Sequence, residues 1–128
     1  DVEECGYIFD GHDFGEQFIK DLSSATSEIV ISAPRVSRIA NPKVAMAIRD
    51  RLAIGIDVRI ITSEETFDRG LFDLNIEVVH TESCSTHFAV IDKSICWYGD
   101  INLLGYNASE CTALRLWDKS IAEELIKR

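Results

Sequence analysis

Apolar positions along this chain follow two rhythms. Phe14, Phe18, Ile19, Leu22 and Ala25 recur at helical spacing, with Asp13 placed to cap the first turn, and predict an amphipathic helix. Val44, Ile48 and Leu52 repeat that spacing after Asn41-Pro42, an N-cap followed by proline at the first helical position. Gly55 closes this second helix as a left-handed cap. The other rhythm is that of short apolar runs bounded by turn residues, which read as buried strands. They are Glu28 to Ser32 (stopped by Ala33-Pro34), Asp57 to Thr62, Ile76 to His80, Phe88 to Ile91, Ile95 to Tyr98 and Thr112 to Leu116. Cys5-Gly6-Tyr7-Ile8-Phe9 reads as an edge strand or an anchored N-terminal arm, and Thr66 to Asn75 suits a short helix. Ser120-Ile121-Ala122-Glu123 has a capping-box pattern and opens a last helix with Ile121, Ala122 and Leu125 inward.

This order predicts an α/β fold: a mixed β-sheet flanked by helices, parallel in its first half. An antiparallel hairpin follows, turned by Asp92-Lys93-Ser94. There is no internal repeat, low-complexity tract or linker, and 128 residues make one domain over 1–128, long enough for a sizeable core. The first residue is Asp rather than Met, from which a piece of a larger protein is expected.

Composition narrows the function classes. Hydrophobic content of 46% and charged content of 27% are those of a globular chain. No apolar run approaches the roughly 20 residues of a membrane helix, and the acidic start lacks a signal-peptide pattern, so a cytoplasmic protein with no membrane partner is expected. Four scattered cysteines without a close CxxC pair favour a reduced protein over two disulfides. The net charge of −9 makes the domain a poor non-specific binder of phosphate backbones. Any nucleic-acid role then rests on a local basic patch or on other domains.

The chemistry concentrates in Ser85-Thr86-His87-Phe88-Ala89-Val90-Ile91-Asp92 and Trp97-Tyr98-Gly99-Asp100-Ile101-Asn102. Arg35 and Arg38 follow the first of the predicted buried strands, at the end where α/β folds place ligand loops. They read as a local phosphate patch or as two cations on a solvated loop. Cys84-x-x-His87 with His80 and Cys96 offers zinc-type ligands, although a structural site needs four converging on one point. His80 alone reads as a partly buried, hydrogen-bonded strand end, and His12 as an exposed turn residue. Asp92 also has a plain structural reading, since Asp92-Lys93-Ser94 suits a hairpin turn whatever the function. Of Trp97 and Tyr98, which alternate across a strand, one is expected in the core and the other exposed. Arg115 and Trp117 read as packing or pairing residues as readily as binding ones.

The segment from Ser85 to Asn107 resembles the signature region of the phospholipase D superfamily of phosphodiesterases and nucleases. That signature is His-x-Lys, four residues, then Asp, followed later by Gly-Ser-x-Asn. Here the family's Asp falls on Asp92, its Lys on His87 and its His on Ser85. Gly99-Asp100-Ile101-Asn102 stands for Gly-Ser-x-Asn, with Asp100 in place of Ser, and Glu110 resembles the acidic residue before the following strand. The run Trp97-Tyr98-Gly99 with Ile101-Asn102-Leu103-Leu104-Gly105-Tyr106 looks closest to domains attached to helicase-like or restriction-type proteins.

The resemblance implies one half of the phospholipase D fold, no metal or other cofactor, and single-motif copies pairing as homodimers about a shared site. It also implies a phosphohistidine intermediate, with Lys and Asn binding phosphate oxygens. Each departure weakens that chemistry. Serine lacks the imidazole nucleophile and needs a base; histidine at 87 titrates where a permanent cation is expected; and Asp100 places an anion beside the phosphodiester. The expected function is therefore a degenerate domain that binds, dimerises or positions within a helicase- or nuclease-type protein acting on DNA. The alternative is a working metal-independent phosphodiesterase. In it His87 is the nucleophile or the base for Ser85, and Asp92, Asn102 and Glu110 orient and bind.

Overall fold

The computed structural model describes residues 6–35, 41–64 and 76–127. Its strands are β1 (Gly6–Asp10), β2 (Glu28–Ser32), β3 (Asp57–Thr62), β4 (Glu77–His80), β5 (His87–Ile91), β6 (Ile95–Gly99) and β7 (Thr112–Trp117). Three helices join them: α1 (Phe14–Ser23), α2 (Pro42–Ala53) and α3 (Lys119–Ile126). The strands form one mixed sheet in the order β1-β7-β6-β5-β2-β3-β4. β2, β3 and β4 run parallel, and β5, β6, β7 and β1 add antiparallel pairs. The N-terminal apolar run is thus an edge strand. The helix expected over 66–75, and Arg38 and Cys5, lie outside the described residues.

Both sheet faces are buried at the centre, which is why β2 and β5 read as unbroken apolar runs. Ile29, Ile31, Ile60, Ala89, Ile91 and Trp97 face α1 and α2 in the larger core. Val30, Phe88, Val90 and Cys96 face the other way, onto Ala122 and Leu125 of α3. Trp97 is fully buried while Tyr98 is exposed, as alternation along β6 requires. Phe9, Phe14 and Phe18 surround the indole of Trp97, their ring centroids 5.1, 6.5 and 5.4 Å from its own. Its Nε1–H donates to Asp21 at 2.8 Å.

Local chemistry sets the element ends. Asn41 caps α2 by accepting from Lys43 N, Pro42 stands at the first position, and Gly55 has φ 90 after the helix. Two expected caps differ. Asp13 precedes α1, but its carboxylate accepts from Asp10 N at 2.8 Å and caps nothing in the helix. At α3 the cap is Asp118, which accepts from Ser120 N and Ile121 N. A carboxylate one residue before the helix outcompetes the Ser120 hydroxyl, which itself donates to Asp118.

The hairpin turn between β5 and β6 places Asp92 at φ 54 and Lys93 at φ 59. Both central residues are left-handed, the type I′ geometry that matches strand twist, and Ser94 N closes it on Ile91 O at 3.1 Å. No glycine eases that conformation, so other contacts must hold it.

Candidate functional site

The C-terminal ends of β2, β3 and β6 and the N-terminal ends of β5 and β7 meet at one end of the sheet. His87 opens β5 there, opposite Gly99 of β6. A Cβ on Gly99 would lie 2.3 Å from Thr112 O, so glycine is what lets β7 approach. That approach fixes Asp100: its carboxylate accepts from Thr112 N at 2.6 Å, and its own N–H donates to Thr112 O at 3.0 Å.

His87 and Asp100 interact electrostatically. Burial pushes the His87 imidazole below its usual value, and the Asp100 charge pulls it back only in part. The ring is therefore neutral at pH 7. Its Nδ1 is buried without a hydrogen-bond partner among the described residues. Position 87 thus supplies a half-buried neutral imidazole beside a fixed carboxylate.

Asn102 is occupied by its own loop. Its Nδ2 donates to Arg35 O at 3.0 Å and its Oδ1 accepts from Leu104 N at 3.1 Å. Asn107 returns two bonds to the Asn102 backbone, accepting from its N–H and donating to its carbonyl, each at 2.8 Å. The Arg35 side chain is exposed. Glu110 is exposed as well, in the turn closed by Cys111 N on Ala108 O, two positions before Thr112.

Ser85 is exposed and lines a cavity of about 300 Å³ with Ser32, Thr81, Ser83, Cys84 and Thr86. Ser32 Oγ donates to Thr86 O at 2.7 Å and lies 3.3 Å from Cys84 Sγ. Ser32 pairs with Phe88, and both turn toward the α3 face of the sheet. His87, one residue before Phe88, turns the opposite way. No hydrogen bond joins Ser85 to His87 among the described residues.

Asp92 lies at the far end of β5, about 16 Å of strand from His87. Its carboxylate accepts from the backbone N–H groups of Thr26 (3.0 Å), Ser27 (2.8 Å) and Glu28 (3.1 Å), and from both hydroxyls. Burial opposes its charge, but these N–H groups outweigh it and hold the carboxyl below the usual carboxylate range. The carboxylate stitches the turn to the start of β2, and this contact holds Asp92 and Lys93 in their left-handed conformations. Of the sequence-derived set, the structure gathers His87, Asp100, Asn102 and the Arg35 backbone at one end and leaves Asp92 at the other.

The zinc-type set does not converge. Among the described residues no three His, Cys, Asp or Glu side chains are placed to hold a metal ion. Cys96 is buried under α3, where burial and then Asp118 push its thiol up to about 11. His80 is exposed rather than partly buried, and its Nε2 pairs with Ser63 O at 3.2 Å. The buried network of Asp21, Trp97, Gln17 and Arg115 escapes a sequence reading, because a lone Asp on an amphipathic helix looks like a surface charge.

No protein-family model matches the sequence, and no curated protein matches it. The fold does have counterparts among solved structures. NucT from Helicobacter pylori superposes with a TM-score of 0.76 at 18% identity, over 95% of this chain and 91% of that one. Nuc from Salmonella typhimurium, a phospholipase D family member, gives 0.74 at 16% identity, over 95% of this chain and 89% of that one. TrmBL2, an archaeal chromatin protein with a novel mode of DNA binding, gives 0.63 at 13% identity, over 99% of this chain and 51% of that one. No helix among the described residues is long and apolar enough to cross a membrane. With a seven-stranded mixed sheet and three helices among its described residues, this chain has the phospholipase D fold.

Proposed function

We propose that this chain is a degenerate phospholipase D-like domain, a non-catalytic module for binding, dimerisation or positioning in a DNA-processing protein of helicase or nuclease type. One observation carries the reading: a neutral imidazole and a fixed carboxylate stand where the signature expects a permanent cation and a hydroxyl. A phosphodiester entering there meets the Asp100 charge with no lysine to offset it, and in a partly desolvated site that repulsion is on the order of a few kcal/mol. Asn102 does not offset that charge: its amide is anchored to Arg35 O and Leu104 N, and the one N–H it has left is a neutral donor. TrmBL2, an archaeal chromatin protein with a novel mode of DNA binding, supports a DNA-associated role. A parent protein supplying other domains, and pairing of two copies, belong to the same proposal.

A second reading keeps phosphodiesterase activity, and the unpartnered Nδ1 of His87 is the observation in its favour. There His87 attacks phosphorus, or takes the Ser85 proton as that hydroxyl attacks, and one ester P–O bond breaks to release a protonated alcohol, while Asn102 and Glu110 orient the substrate. Asp92 is too distant to join it. The deciding assay is hydrolysis of bis(p-nitrophenyl) phosphate and of single-stranded DNA in the presence of a chelator. The degenerate reading expects no turnover by the wild type. Turnover that survives the chelator and disappears in His87→Ala overturns it.

A further inference from the structure

We infer that the outer edge of β1 is a pairing surface for a second copy of this chain, joining two seven-stranded sheets into one continuous sheet about a two-fold axis at Ile8. The inference specifies the surface for the dimerising role proposed above, and its test does not depend on whether the site hydrolyses anything.

β1 ends the sheet, and among the described residues its outer edge has no strand beside it. An open edge presents unpaired N–H and C=O groups, of which the Asp10 N–H is here already held by Asp13 Oδ1 at 2.8 Å, and chains normally blunt such an edge with lysine, proline or a bulge. Gly6-Tyr7-Ile8-Phe9-Asp10 has none of these in its sequence, and it pairs with β7 in unbroken register. The opposite edge, β4, is four residues long and carries Glu77 and His80 at its ends.

Exposure points the same way. Ile8 is 74% exposed, more than any other large apolar side chain described, and Tyr7 is 49% exposed. Ile8 continues a cross-strand row through Leu114 and Tyr98 to the buried Phe88, so it ends an apolar ladder at the open edge.

A second copy of β1 fits this edge. In an antiparallel pair centred on Ile8, residue 7 faces residue 9 and residue 6 faces residue 10 of the other copy. Positions of equal parity then share a face, so each apolar face runs on into its counterpart. Tyr7 gains Phe9 of the second copy, and the two Ile8 side chains meet on the axis. Charge is compatible as well. Asp10 is the only charged residue of β1, and this register sets it against Gly6 rather than against another Asp10. That matters in a chain of net charge −9. A two-fold contact of this kind is self-complementary and closed, so it stops at two copies.

The geometry has a functional consequence. The Asp10 end of β1 lies beside Thr112, which holds Asp100, so it is the site end of the sheet. Antiparallel pairing sends the second copy's site to the opposite end. Such a dimer keeps its two sites apart, unlike the shared-site dimer that the motif resemblance implies.

Sedimentation equilibrium across a concentration series tests this on the 128-residue chain. The expected result is a concentration-dependent mass of twice the 14.4 kDa chain. Ile8→Lys, at a position already exposed in the single copy, is expected to give the single-chain mass with unchanged circular dichroism. Hydrogen exchange on the wild type provides a second readout: amides of β1 become protected as concentration rises. A wild type that stays monomeric, an Ile8→Lys variant that stays dimeric, or β1 amides whose protection ignores concentration each overturns the inference. Dissociation by Ser85→Arg but not by Ile8→Lys also overturns it, in favour of a shared-site dimer.

Discussion

Asp21 of α1 and Arg115 of β7 meet in a two-pronged ion pair, at 2.7 and 2.9 Å, across 94 positions of sequence. The carboxylate is 3% exposed and also accepts from Trp97 Nε1 and Gln17 Nε2. Arg115 in turn lies 5.3 Å from the centre of the Trp117 ring. A pair this buried costs much to desolvate, so its net worth is modest, but removing one partner strands the other charge. Arg115→Met is expected to cost about 3–5 kcal/mol in urea unfolding. Adding Asp21→Leu should recover most of that loss, leaving a deficit of about 1–2 kcal/mol for the orphaned Trp97 N–H. A double variant no better than the single would show that the pair is not what stabilises the α1–β7 contact.

Asp92 is expected to act as a fold residue. Asp92→Ala removes an acceptor shared by three backbone N–H groups and two hydroxyls, and should destabilise the chain by on the order of 2 kcal/mol. Its folded-state carboxyl titrates below the unfolded one, so the unfolded chain binds more protons in that window. The stabilisation is present above the unfolded value of about 3.9 and is lost as pH falls through the lower folded value. Wild-type unfolding curves should therefore converge on those of Asp92→Ala in acid. A constant gap between them from pH 6 to strong acid contradicts this assignment.

His87 has the opposite chemistry and the same sign. Its folded-state value lies below 6.5, so stability rises with pH between the folded and unfolded values and is complete above 6.5. Below that window the cost of charging the half-buried ring is fully felt. NMR titration should place the His87 midpoint under that of the unfolded chain. Asp100→Asn should move it lower still, because the carboxylate supports the charged form. An upward move in Asp100→Asn would mean that the two groups do not face each other.

Two glycines with the same name should behave oppositely. At Gly99 a Cβ would meet Thr112 O at 2.3 Å and Ala113 Cα at 2.7 Å, both backbone atoms that cannot swing aside. Gly99→Ala should cost about 3 kcal/mol or more and disturb the Asp100–Thr112 bonds. Gly15, in the first turn of α1, has nothing within 4 Å of such a Cβ. Gly15→Ala should stabilise by about 0.5 kcal/mol through helix propensity alone. Thermal unfolding of the two variants separates the effects.

What the chain determined by itself is the part governed by short-range pattern. Helical spacing in α1 and α2, the Asn41-Pro42 start, the left-handed Gly55 and the apolar runs of β2, β3, β5 and β6 depend on neighbours within a few residues, and each can be read in a line. The changed signature at Ser85, His87 and Asp100 is equally legible, because it is a matter of residue identity. What only the tertiary structure decided is which of those residues share a place. Asp92 belongs to the signature by spacing, yet five residues of extended strand carry it away from His87. Asn102 has the right identity, but its amide is anchored to Arg35 O and Leu104 N, which leaves one N–H for any ligand. Asp21 looks like surface charge until Arg115 arrives from the far end of the chain. The sequence left the run around Ile8 open between an edge strand and an N-terminal arm, and only the sheet order decides for the edge, since a strand's sequence does not say which strands lie beside it. Spacing along the chain constrains local dihedrals; contacts between distant segments depend on the packing of the whole sheet.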